Sequence, residues 1–300
     1  MAENKLKTKI GELELKNPTL LAAGILGQSG SNLKRVWESG AGGVITKTTG
    51  KKPKKGYPGP NIVETPSGLL NAMGLPNPGI KEMEEEIKIA KKAGATVIGS
   101  IFGEKQEEFK KLAKKMAEIE VDAIELNLSC PHAEKLSLIG QNPKTAKKIV
   151  KNCQNIEKPI WAKLPGNTNI PNLIKVAKAV EDGNADAIVL TNTLPGMAID
   201  IETEKPILGN EKGGLSGPAI KPVGVRLVYE VYEEIDIPIV GAGGVTTGKD
   251  MIEYILAGAS AVEIGTGIME KDFEIFEKVC EKAKEKLEDE KITNLIGRAH

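Results

Sequence analysis

The 300-residue chain is 40% hydrophobic but only 3% aromatic, so its core must be aliphatic, built from Ile, Val, Leu and Ala. Lys plus Arg and Asp plus Glu number 41 each, which leaves no net field to gather nucleic acid or an acidic membrane. No run approaches 18 apolar residues and the charged start M-A-E-N-K-L-K-T-K-I has no signal-peptide core, so a soluble, cytoplasmic protein is expected.

Short apolar runs rich in β-branched residues recur along the chain and predict strands. They are T-L-L-A-A-G (19–24), G-G-V-I-T-K-T (42–48), T-V-I-G-S-I-F-G (96–103) and D-A-I-E-L-N-L-S-C (122–130). P-I-W-A-K-L-P (159–165), A-D-A-I-V-L-T-N-T (185–193), I-P-I-V-G-A-G-G (237–244) and A-V-E-I-G-T-G (261–267) complete a set of eight. Near-continuous apolarity, rather than strict alternation, marks parallel strands buried on both faces. Between most of them lie charged stretches of helical period at 80–94, 107–119, 142–153 and 171–180, with a final helix at 272–287. Asn142 before Pro143 is the expected N-cap of the third of these.

This alternation predicts an α/β chain folded as a (β/α)₈ TIM barrel, one domain over 1–300. A doubly wound sheet needs fewer strands and a reversal point, which nothing here marks. Two long connections, 50–77 and 194–217, leave from the strands' C-terminal ends, where loops of this length cover substrate.

The same ends carry polar residues with no packing reason. Lys47 lies between Thr46 and Thr48; Asn127, Ser129 and Cys130 end the fourth strand; Lys163 ends the fifth. Thr191, Asn192 and Thr193 end the sixth, and glycines end the last two. G-A-G-G-V-T-T (241–247) and G-T-G-I-M (265–269) predict a phosphate cradle of backbone N–H groups at a helix N-terminus. A lysine inside a buried strand must meet an anion, reach solvent or form a Schiff base, so Lys163 allows an aldolase reading as well as anion binding. Cys130, Cys153 and Cys280 are too scattered for a disulfide framework, zinc site or iron–sulfur cluster, and Cys280 falls within the final helix. A nucleophilic cysteine wants a histidine, and only His132 and His300 exist, so Cys130 reads better as a general base.

N-L-S-C-P-H (127–132), N-A-M-G-L-P-N (71–77), T-K-T (46–48), W-A-K-L-P (161–165), T-N-T (191–193), G-A-G-G (241–244) and G-T-G (265–267), in this order, resemble the class 1 dihydroorotate dehydrogenases. The likeness spans essentially the whole chain and is closest to the class 1B catalytic subunit. It implies oxidation of dihydroorotate to orotate in pyrimidine synthesis on an FMN-containing barrel, with Cys130 removing the C5 proton while hydride leaves C6 for flavin N5. Lys47, Asn71, Ala72, Met73, Gly74, Leu75, Asn127, Asn192 and Thr193 would hold the pyrimidine and its carboxylate. Lys163 would lie at the flavin N1/O2 edge. Ala23, Lys47, Thr48, Ser100, Asn127 and Leu190 would lie near the ring, and Gly217, Gly243, Gly244, Gly265 and Thr266 would hold the phosphate end.

Two positions depart from the pattern. Ser100 stands where relatives often carry asparagine, and His132 replaces an asparagine after C-P. The N-L-S-C-P-H spelling also occurs in dihydropyrimidine dehydrogenases, and N-A-M-G-L-P-N favours dihydroorotate. Class 1B membership implies a partner subunit with FAD and a 2Fe-2S cluster that passes electrons to NAD, around a homodimeric core in a heterotetramer. Class 1A membership would imply fumarate and a homodimer alone.

Overall fold

The computed structural model describes residues 4–129 and 139–300. Eight parallel strands close into a barrel: β1 (Thr19–Leu21), β2 (Gly43–Ile45), β3 (Val97–Ile101), β4 (Ala123–Asn127), β5 (Ile160–Lys163), β6 (Ala187–Leu190), β7 (Ile239–Ala242) and β8 (Ala259–Ile264). Each pairs with its neighbours in chain order, and β8 closes on β1. Every expected strand is present. The eighth starts and ends earlier than expected, because Gly265–Gly267 turns away from the barrel into a short helix, Gly267–Lys271.

Helices follow the strands in turn: α1 (Gly30–Glu38), α2 (Ile80–Lys92), α3 (Gln106–Glu118), α4 (Pro143–Asn152), α5 (Ile170–Glu181), α6 (Lys221–Tyr232), α7 (Gly248–Leu256) and α8 (Ile275–Leu287). Asn142 caps α4 as expected, its side chain accepting from the N–H of Thr145. Asn169 does the same for α5 through Asn172, satisfying donors that a helix start would otherwise leave unpaired. The last helix begins at Ile275 rather than 272, since Asp272 takes a positive φ of 53° that an α-helix cannot contain. Among the described residues no helix is long and apolar enough to cross a membrane.

Two apolar layers result. One lies between strands and helices; the other fills the barrel itself with Leu20, Ile45, Ile98, Ala123, Trp161, Val189, Val240 and Ala261. An antiparallel hairpin, Thr8–Ile10 with Leu13–Leu15, presses Ile10 and Leu15 into this inner layer and plugs the N-terminal end. Thr8 Oγ1 secures it by donating to the carbonyl of Ser260 at 3.0 Å. The hairpin lies in the charged start of the chain, where no strand was expected.

The two long connections meet over the opposite end. Ile62–Thr65, Gly68–Asn71, Gly213–Ser216 and Leu194–Gly196 form one antiparallel sheet, with Leu70 opposite Leu215. Each loop folds back into its own antiparallel pair, and the two pairs join edge to edge through Gly68–Asn71 and Gly213–Ser216.

α7 carries a capping box. Thr247 Oγ1 accepts from the N–H of Asp250, and Asp250 Oδ2 accepts from the N–H groups of Thr246 and Thr247. Burial acts to raise the Asp250 pKa, but its bonds from Lys221, Thr246 and Thr247 win and hold it below the ordinary value. A depressed folded pKa contributes stability above the unfolded value, about 3.9, that disappears as pH falls through the folded one. Asp250→Asn is therefore expected to lose about 1 kcal/mol at neutral pH in urea unfolding. The gap should close below about pH 3.9. A gap that does not change with pH would contradict this assignment.

Candidate active site

The C-terminal end of the barrel opens into a cavity of about 520 Å³, a size suited to a small organic ligand. Its walls come from the ends of β1, β2, β4, β5, β6, β7 and β8 and from the sheet above.

On the β2 side Lys47 is buried, its Nζ 3.4 Å from the carbonyl oxygen of Gly24. The chain passes so close here that a Cβ on Gly27 would lie 2.5 Å from the backbone nitrogen of Lys47. Thr48 Oγ1 accepts from Asn127 Nδ2 at 3.2 Å, and Asn127 Oδ1 accepts from both the N–H and Oγ of Ser129. Asn192 Nδ2 donates to Ser129 Oγ at 3.0 Å, while its own Oδ1 accepts from the N–H of Thr193. Ser129 therefore ties the end of β4 to the end of β6 and fixes both amides on the cavity wall.

Asn71, Met73, Gly74 and Leu75 line the side beneath the sheet. Asn71 Nδ2 donates to the carbonyl of Gly214 at 3.2 Å, which joins the two long connections. Gly74 has φ +71°, and a Cβ there would lie 2.7 Å from the backbone nitrogen of Tyr57. Asn77, at the end of the same motif, is structural. It accepts from the N–H groups of Gly50 and Gly79 and donates to Leu75, holding the turn in shape.

The opposite wall is the glycine cradle. Gly217, Gly243, Gly244, Gly265 and Thr266 all line the cavity, and Thr266 Oγ1 donates to Ser216 Oγ at 2.7 Å. Tyr254 Oη, on α7, fixes the turn by donating to the carbonyl of Gly243 at 2.8 Å. The capping box already occupies the N–H groups of Thr246, Thr247 and Asp250. Just ahead of them, the N–H groups of Gly244 and Val245 meet no acceptor among the described residues. A turn of backbone amides leading into α7 can hold an anion.

Lys163 forms the floor and does not wait for a ligand to supply its anion. Its Nζ bonds Glu263 and lies 3.7 Å from Glu125, with all three side chains buried. Burial opposes the ammonium, but the two carboxylates outweigh it and raise the Lys163 pKa above its ordinary value. Neither glutamate was anticipated. The available signal was an acid inside the apolar runs D-A-I-E-L and A-V-E-I-G, at a position that faces the barrel interior.

Ala23 and Lys47 sit on the wall as expected. Three expected residues do not. Ala72 is buried against Leu70 and Leu208, on the face of the sheet turned away from the cavity. Leu190 points into the strand–helix layer, because the period of two turns its side chain away from the interior that Val189 faces. Ser100 is fully buried behind the wall, donating to Glu125 Oε1 at 2.7 Å and bonding Thr48 Oγ1 at 2.9 Å. Cys130 and His132 lie outside the described residues. The other two cysteines are unsuited to chemistry: burial pushes the Cys153 thiol up to about 12 and the Cys280 thiol up to about 11.

The family model described as dihydroorotate dehydrogenase matches residues 5–287. A Methanocaldococcus jannaschii protein named dihydroorotate dehydrogenase B (NAD(+)), catalytic subunit, is 48% identical over 308 residues, covering 100% of both chains. A Methanocella arvoryzae protein of the same name is 45% identical, over 99% of this chain and 98% of its own. Among solved structures, the Eimeria tenella dihydroorotate dehydrogenase complexed with ferulenol superposes with a TM-score of 0.87 at 20% identity, over 99% of this chain and 89% of that one. That last likeness concerns the fold alone. With a family model spanning nearly the whole chain and full-length relatives near half identity, the chain belongs to the dihydroorotate dehydrogenase family of oxidoreductases.

Proposed function

We propose that this chain is an FMN-dependent catalytic subunit that oxidises dihydroorotate to orotate in pyrimidine synthesis. In this reading electrons leave for NAD through a separate subunit carrying FAD and a 2Fe-2S cluster. The observation that carries it is a single cavity joining a glycine cradle, a buried lysine floor and a wall of fixed amides. FMN fits these residues. The open N–H groups of Gly244 and Val245 suit its phosphate, Lys163 suits the ring edge that becomes anionic, and Thr48 and Ala23 flank the space between. When bound, FMN supplies the hydride acceptor.

The chain's own residues do the rest. Asn71, Asn127 and Asn192 offer donors and acceptors that match a planar imide, and Lys47 balances a carboxylate. Cys130, joined to Ser129, takes the C5 proton of dihydroorotate. The 50–77 and 194–217 connections close the substrate side and exclude water. The full-length likeness to chains named as NAD(+)-linked catalytic subunits supports the partner subunit. A Schiff-base aldolase is disfavoured, because such a lysine must shed its proton and the carboxylates beside Lys163 hold it charged.

Two measurements test this reading. The purified protein should take up FMN with a stoichiometry near one, and the flavin should be reduced faster by dihydroorotate than by dihydrouracil. A protein that binds no FMN contradicts the proposal, and a preference for dihydrouracil reassigns the substrate.

Gly244→Ala tests the cradle. The position has φ +69°, and a Cβ would lie 2.7 Å from Lys221 Cβ and 2.8 Å from the carbonyl oxygen of Gly217. Strain of about 1–3 kcal/mol at the binding turn is expected to weaken FMN binding by about tenfold to a hundredfold, with the circular dichroism unchanged. Unaltered FMN affinity would move the phosphate elsewhere.

A further inference from the structure

Beneath the cavity, one ammonium sits between two carboxylates. Lys163 Nζ bonds Glu263 and lies 3.7 Å from Glu125. Glu125 and Glu263 are 0% and 2% exposed, and the layer directly below is the apolar barrel core of Trp161, Ile98 and Ala261. Glu125 Oε2 and Glu263 Oε1 are buried and find no hydrogen-bond partner among the described residues. Two ionised carboxylates there would leave a net negative charge, desolvated and incompletely bonded, in a low-dielectric layer.

Among the described residues lining the cavity, the one other ionisable side chain is Lys47 on the β2 side, whose Nζ lies 3.4 Å from the carbonyl of Gly24. From β1, β6 and β7 the interior is faced by Leu20, Val189 and Ala242, and from β3 by Ser100, a neutral donor to Glu125.

We propose that Glu125 and Glu263 are positioning residues that share a single proton around Lys163, so that the cavity floor is a neutral cluster of one ammonium, one carboxylate and one carboxylic acid. Burial, with the neighbouring Glu125 charge, raises the Glu263 pKa despite the opposing pull of Lys163, in keeping with this arrangement. The cluster pins the ammonium at the floor and fixes the field it presents to whatever binds above. Through Ser100, Thr48, Asn127 and Ser129 it is bonded continuously to the wall residue Asn192.

Shared protonation makes an uncommon prediction. Removing either carboxylate alone should not change the net charge of the floor, because the remaining glutamate ionises and pairs with Lys163. Removing both leaves an uncompensated ammonium. The potential readout rests on the FMN reading above; the vibrational readout does not, so failure of one is distinguishable from failure of the other.

The test uses infrared difference spectra between wild type and its glutamate variants, taken without added flavin, and flavin midpoint potentials of the FMN-loaded protein. Wild type at neutral pH should show the carbonyl stretch of a protonated carboxyl, lost in both Glu125→Gln and Glu263→Gln. Each single variant should keep a midpoint potential close to wild type, and the double variant should move it positive, since an unpaired ammonium favours the anionic reduced ring. Absence of the carboxyl band in wild type, or a positive shift in each single variant, means both glutamates are ionised and overturns the proposal. A folded, FMN-loaded double variant with an unmoved potential overturns the influence on the ligand. If the double variant does not accumulate, the band in wild type and its loss in the single variants decide.

Discussion

Cys130→Ala is expected to bind FMN normally and to slow flavin reduction by dihydroorotate by about 10²–10⁴-fold, the range for loss of a general base. Cys130 follows Ser129, whose hydroxyl links Asn127 to Asn192 on the cavity wall. The chain thus leaves the barrel for Cys130 from the place where the substrate ring is proposed to lie. Neither Cys153 nor Cys280 can substitute, since both are buried and remote from that wall. An unperturbed thiol titrates near about 8.5, so reduction should accelerate as pH rises toward that value and Cys130→Ala should lose the dependence. Stopped-flow measurement of flavin absorbance checks both. A variant within tenfold of wild type would remove Cys130 from the chemistry.

The second large effect is expected from Lys163→Met. The substitution keeps much of the side-chain volume but leaves Glu125 and Glu263 facing each other without a cation. Breaking a buried ion pair by deleting one partner costs about 3–5 kcal/mol, and protonation of both acids is the available relief. A carboxylic acid kept protonated by burial has a folded pKa above an unfolded value of about 4.3. Such groups contribute stability below the unfolded pKa and lose it as pH rises through the folded one. The variant should therefore be closest to wild type near pH 5 and fall away toward pH 8, as read by denaturant midpoints. A deficit independent of pH would mean that the carboxylates do not depend on Lys163.

The barrel was legible because its strands are buried on both faces, where Ile, Val, Leu and Ala predominate. V-I-G-S-I and A-I-V-L need no partner to be read. The helices with strong charge periodicity, α2 to α5, were equally plain. α6 was not: Gly224 interrupts its pattern, and its reason is tertiary, since a Cβ there would lie 2.0 Å from Tyr254 Oη. The sheet over the mouth was invisible for another reason. Each loop makes a short antiparallel pair of its own, but the sheet is completed only where Leu70 meets Leu215, a pairing distant in sequence that no local pattern announces.

The cavity wall was legible as polar residues at strand ends. Asn127, Lys163 and Asn192 stand where chain order and period put them. What escaped was the layer behind. Ser100 could be read as a ligand contact, but its hydroxyl supports Thr48 and Glu125. Glu125 and Glu263 each lie two residues before a residue of the cavity wall, Asn127 and Gly265, the spacing that turns a side chain to the same interior face. Read that way, an acid two residues before Asn127 and another two before Gly265 mark the partners of the buried lysine.

The central claim is that this cavity joins FMN to dihydroorotate so that hydride and proton leave the same substrate. Anaerobic mixing of the FMN-loaded protein with dihydroorotate tests it in one trace. The account predicts bleaching of the oxidised flavin absorbance with stoichiometric formation of orotate; a flavin that binds but stays oxidised while dihydroorotate is recovered intact would contradict it.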